Sequence, residues 1–104
     1  MQVLRPNEYT ADRAWGAVDI ERLADATVRL HWTDQPYTWH VNDGPEVFVV
    51  VDGMVDMHVR GGGGDERCFR LNKGDIFHAD EGDEHKAEPV GAARILVVER
   101  AESV

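Results

Sequence analysis

The chain has 104 residues, of which 42% are hydrophobic and 30% charged, with a formal net charge of −9. That length supports one domain around one core, and the acidic balance excludes a nucleic-acid binder, which needs lysine and arginine to neutralise phosphates. No run approaches the roughly 20 apolar residues that span a bilayer. The opening stretch "MQVLRPNEYTADRAW" lacks a signal-peptide pattern, so a cytoplasmic location is expected. Cys68 is the only cysteine, which excludes an internal disulfide and a cysteine-built zinc site.

In chain order, residues 1–14 read as an N-terminal arm, residues 15–100 as the domain and residues 101–104 as a tail. "AWGAVDIERL" reads as an early strand or a pair of short strands. "ATVRLHW" alternates Val28, Leu30 and Trp32 against Arg29 and His31, the pattern of a half-buried strand. "YTWHVN" leads through the turn "DGP" into "EVFVVV", where Val47, Val49 and Val51 share one face and Glu46, Phe48 and Val50 the other. Both faces are apolar beyond Glu46, so the strand needs two layers of cover. One is the interior, and the second is either the N-terminal strands or another subunit, which predicts a homodimer.

Asp52-Gly53 reads as a tight hairpin turn, with "MVDMHVR" as the return strand. Gly61 to Gly64 form a loop, without the strand-to-helix context or the Lys-Ser/Thr of a nucleotide-binding loop. "RCFRL" places Cys68 as a small buried hydrophobe in a strand. "DIFHA", "HKAE" and "RILVVE" follow, separated by turns. Nine or ten short strands with no helical stripe predict an all-β sandwich or barrel. Phe48, Met54, Met57, Phe69, Ile76, Phe77, Ile95 and Val97 are the expected core and pocket wall.

His40 and Asn42 are two apart and project to one face, Glu46 opens the next strand, and His85 opens a later one. Two imidazoles, a carboxylate and an amide oxygen make a mixed nitrogen and oxygen site for a divalent metal. His78 shares a strand face with Ile76 and is the candidate general acid/base or substrate contact. His58 and His31 read as surface residues. The turn holding Asp80, Glu81, Asp83 and Glu84 is a solvated loop or a negative pocket mouth favouring neutral or cationic ligands.

These residues carry a family resemblance. The first cupin motif runs G-x5-H-x-H-x3,4-E-x6-G, and here His40-x-Asn42-x3-Glu46-x6-Gly53 keeps its spacing, with Gln35 or Asp34 near the leading glycine. The second runs G-x5-P-x-G-x2-H-x3-N, against Gly74-x5-Asp80-x-Gly82-x2-His85-x3-Pro89. The chain resembles the cupins, and from Trp15 to Glu99 it looks most like the small single-domain cupins labelled mannose-6-phosphate isomerase-like. The resemblance implies an all-β, single-domain jelly-roll β-barrel, dimeric, with a metal held by His40, Glu46 and His85. Asn42 stands at the family's second histidine, either completing the shell or orienting a bound water or substrate.

Two histidines and one carboxylate leave positions open on a metal such as non-haem iron. The implied cofactor is divalent iron, manganese, nickel or zinc, and the implied partner a small molecule. The expected function is a metal-dependent enzyme with oxygenase or isomerase/lyase chemistry. The alternative is a non-catalytic ligand-binding cupin, with or without a structural metal.

Overall fold

The computed structural model describes residues 1–61 and 64–103. The middle of the glycine loop (residues 62 and 63) and the last residue of the expected tail (104) lie outside the described residues. The described chain holds one 3-10 turn, Pro6–Glu8, and nine strands: β1 Gly16–Leu23, β2 Ala26–Thr33, β3 His40–Val41, β4 Glu46–Asp52, β5 Val55–Arg60, β6 Glu66–Leu71, β7 Ile76–Ala79, β8 Glu84–Pro89 and β9 Ala93–Arg100.

The strands form two antiparallel sheets, β1-β2-β9-β4-β7 and β3-β8-β5-β6. Among the described residues no strand pairing joins one sheet to the other, so the expected hydrogen-bonded barrel is instead a pair of packed sheets. Asp52-Gly53 is correspondingly not a hairpin, because β4 and β5 belong to different sheets. The turn carries the chain across the core. Gly53 has φ +81°, and a Cβ there would stand 2.6 Å from the Ala92 carbonyl oxygen, so backbone conformation and space both require glycine.

The inward faces meet in a core of Phe48, Val50, Val55, Met57, Ile95 and Val97, with Phe77 packed against it. Each such side chain contributes roughly 1.5 to 3 kcal/mol by leaving water. Three expectations fail at the open edge of the molecule. Phe69 and Ile76 are exposed, and so is Cys68, because β6 and β7 are edge strands covered on fewer sides.

The outer face of β4 is half-buried at Val47, Val49 and Val51. The 3-10 turn of the arm packs against β4. Arg94 pins the arm there: its Nε donates to the Tyr9 carbonyl at 2.9 Å, its Nη2 to Thr10 Oγ1 at 3.2 Å and its Nη1 to Asp52 Oδ2 at 3.0 Å.

Candidate functional site

The strand pairings bring the four spaced residues together, though not through one hairpin. His40 and His85 are direct partners across β3 and β8, while Glu46 begins β4 in the opposite sheet. The cluster therefore bridges the two sheets at one end of the core. Asn42 follows β3 and is anchored through its backbone. Its N–H donates to the Asp83 carbonyl and its own carbonyl accepts from Gly82 N–H, both at 2.9 Å.

His85 and Glu46 are buried, at 2% and 8% exposure. His85 Nε2 lies 3.2 Å from Glu46 Oε1 and 2.7 Å from Asn42 Oδ1. Both neighbours are acceptors in this arrangement, so Nε2 carries the hydrogen. Asn42 Nδ2 donates in turn to Glu46 Oε1 at 3.4 Å. His40 Nδ1 stands 3.2 Å from the Thr38 carbonyl. A carbonyl can only accept, which puts the hydrogen on Nδ1 and leaves Nε2 with a free lone pair.

One donor atom each from His40, Glu46 and His85 lies within 4.8 Å of the others. A transition metal sits about 2.0 to 2.2 Å from such donors, so ligands around one ion stand roughly 3 to 4 Å apart. The donor chemistry fits a divalent metal, and a span of up to 4.8 Å needs only small side-chain shifts to close around one. Uptake would displace the proton from His85 Nε2, as binding to an imidazole requires.

The charges are arranged to keep a carboxylate ionised there. Burial opposes the charge on Glu46, but the hydrogen bond and charge of His85, then the Asn42 amide and His40, outweigh it and hold the carboxyl below its usual range. Glu99 behaves oppositely. It faces Glu46 directly across β4 and β9, and burial, then the Glu46 charge, push its carboxyl up to about 7.

A pocket of about 310 Å³ opens on the cluster. His40, Glu46 and His85 line it, with Arg29 and His31 from β2, Trp15 and Tyr37 from the flanking loops, and Glu99 from β9. His31 was expected at the surface. It faces the pocket, its Nδ1 lies 3.3 Å from the Trp15 carbonyl, and burial lowers its pKa.

His78 is not brought to the cluster. Its side chain is 59% exposed and its Nε2 lies 3.6 Å from Asp80 Oδ1. Strand alternation sends Phe77 and Ala79 inward and turns the His78–Ile76 face outward. His58 lies on β5, where its Nε2 is 3.5 Å from Glu88. The acidic turn at residues 80–84 ties down Asn42 and contributes no side chain to this pocket, so it is not the pocket mouth.

Arg29 and Glu99 escaped the sequence reading, although a signal for Glu99 existed. Ala93, Ile95 and Val97 are the buried alternates of β9, and Glu99 is the next alternate, a carboxylate on an apolar inward face.

No family model matches the chain, and no curated protein matches it. Solved structures do. A cupin-2 domain protein from Shewanella frigidimarina shares 23% identity over 86% of this chain and 84% of its own, with a TM-score of 0.75. The chain has the cupin fold. A cupin superfamily protein from Desulfitobacterium hafniense matches 93% of this chain and 87% of its own at 11% identity, TM-score 0.72. A hydroquinone 1,2-dioxygenase in complex with Fe3+ carries the same cupin fold, with 17% identity over 88% of this chain and 29% of its own, TM-score 0.77. At such identities the shared property is the fold. No helix among the described residues is long and apolar enough to cross a membrane.

Proposed function

We propose that the chain is a metal-dependent enzyme acting on a small molecule in the 310 Å³ pocket, with His40, Glu46 and His85 as the metal ligands. One observation carries this reading: three donors of the right chemistry converge within 4.8 Å at a pocket wall. The hydroquinone dioxygenase with Fe3+ supports it as an example of metal chemistry in this fold. A divalent metal in such a site supplies open coordination positions, where it polarises a carbonyl or hydroxyl or takes part in oxygenase chemistry.

The chain's own residues do the rest. Glu46 is held ionised by its buried contacts with His85 and Asn42. Asn42 fixes Glu46 through Nδ2 and presents Oδ1 beside His85 Nε2, the place of a fourth donor. Phe48, Val97 and Trp15 exclude water from the wall and strengthen the electrostatics inside it. Glu99 and His31 are the groups placed to exchange a proton with a bound molecule. The protein acts as a cytoplasmic homodimer joined through the outer face of the larger sheet, where Val47, Val49, Leu96 and Val98 form an apolar strip. Light scattering should return twice the chain mass, and a monomer mass would remove the dimer.

Elemental analysis of protein purified without an affinity tag tests the central reading. About one equivalent of a transition metal is expected, and less than roughly a tenth, with none taken up on addition, would overturn it. A second reading, binding without turnover, is favoured by Asn42, whose amide hydrogen-bonds both Glu46 and His85 where an imidazole would be the stronger metal donor. It is distinguished by ligand-induced stabilisation that His85→Ala abolishes while no product ever forms.

A further inference from the structure

The pocket carries a charge for which metal binding provides no task. Arg29 stands on the inward face of β2, opposite Val97 of β9, and lines the pocket. Its Nε donates to Asp19 Oδ1 at 2.7 Å across the β1–β2 pair. Among the described residues neither of its Nη groups has a protein hydrogen-bond partner. Asp19 therefore orients the guanidinium and leaves its outer edge as two donors side by side, the geometry that matches a carboxylate.

The surroundings fit an acid with a flat apolar body. β2 is two strand spacings from β4, so the Arg29 and Glu46 strands stand roughly 10 Å apart. Val97 and Phe48 lie in register with Arg29 and floor that gap. Trp15 and Tyr37 supply aromatic wall, and the buried Trp15 Nε1 has no protein partner among the described residues. Arg13 adds a second cation to the lining. Although the molecule carries −9 overall, the carboxylates among the described lining residues are Glu46, engaged with His85 and Asn42, and Glu99, which feels the Arg29 charge but makes no hydrogen bond to it.

We infer that the pocket binds a small organic acid with a flat apolar body, its carboxylate on the Arg29 fork and its far end at His40, Glu46 and His85. The far end rests on the metal-site reading above, whereas the carboxylate end stands on Arg29 by itself. The acid is thus gripped at the end remote from the cluster, which fixes the part of the molecule presented there.

Benzoate and benzamide test this, because they differ in charge and hardly in shape. Calorimetric titration of the full chain, metal-free and zinc-loaded, should show benzoate binding about tenfold tighter or more, the worth of one charge-assisted bidentate contact. Arg29→Gln should remove that preference while leaving benzamide affinity and zinc stoichiometry unchanged. Asp19→Asn, which loosens the fork without removing it, should weaken benzoate about threefold. Arg29→Lys keeps the charge without the fork, so it should retain only part of the preference and serves if the glutamine variant fails to fold. No benzoate binding, equal affinities for the two probes, or a preference untouched by either Arg29 substitution would overturn the inference. Failure of the metal reading appears separately as absent zinc uptake, and the benzoate preference of the metal-free protein then still decides the carboxylate end.

Discussion

The two ends of the interior are built on the same strands and behave as opposites. Inward-facing positions of β4 run Glu46, Phe48, Val50, and those of β9 run Glu99, Val97, Ile95, so each strand passes from a carboxylate to a closed apolar core. β8 does the same from His85 to Ala87. At the dry end Val50, Val55, Met57 and Ile95 are wholly buried, and burial of apolar surface holds the sheets together. At the polar end two histidines and two carboxylates share a partly buried space, where charges cost energy unless they are paired. The dry end provides stability, and gathering these polar groups at the other end costs part of it.

Substitutions that strike one end should leave the other intact. Met57→Ala should open a cavity in the dry end and cost about 2 to 5 kcal/mol by denaturant unfolding, with metal stoichiometry unchanged in the folded protein. Loss of metal binding in that folded variant would show that the ends are coupled. His85→Ala should do the reverse, lowering metal affinity by roughly 100-fold or more in competition with a chelator, since losing a ligand exceeds the effect of losing its support.

Asn42→Ala should weaken metal binding by about tenfold, and Asn42→His should recover it, because imidazole is the stronger donor to these ions. The smallest effect belongs to Glu99. In the metal-free folded protein its carboxyl is pushed from 4.5 to about 7 by burial and by Glu46. Between those values the folded state binds the proton more tightly than the unfolded state, so stability falls as pH rises through that window. Glu99→Gln should flatten this decline and add about 1 kcal/mol at pH 8, a figure reduced for the solvent screening of a half-exposed group. Unfolding curves at pH 5 and pH 8 measure it, and an unchanged pH dependence would remove Glu99 from the polar end.

Much of the site was legible because motif spacing is a property of the chain itself. His40, Asn42, Glu46 and His85 could be grouped from their intervals and turns, and the structure brings all four together. Their route to one another could not be read. Asp52-Gly53 has the composition of a hairpin turn in either context, and only the partners of β4 and β5 reveal a crossing between sheets.

What the sequence by itself determined was strand content, turn positions and a period-two alternation, all set by local backbone and side-chain chemistry. What tertiary structure alone decided was which side of each alternation faces inward. On β2 the apolar Val28, Leu30 and Trp32 face away from the pocket while Arg29 and His31 face into it. On β7 His78 turns outward. Alternation defines two faces but does not say which one a neighbouring sheet will cover. Arg29 and Glu99 therefore became site residues only once β2, β9 and β4 lay side by side.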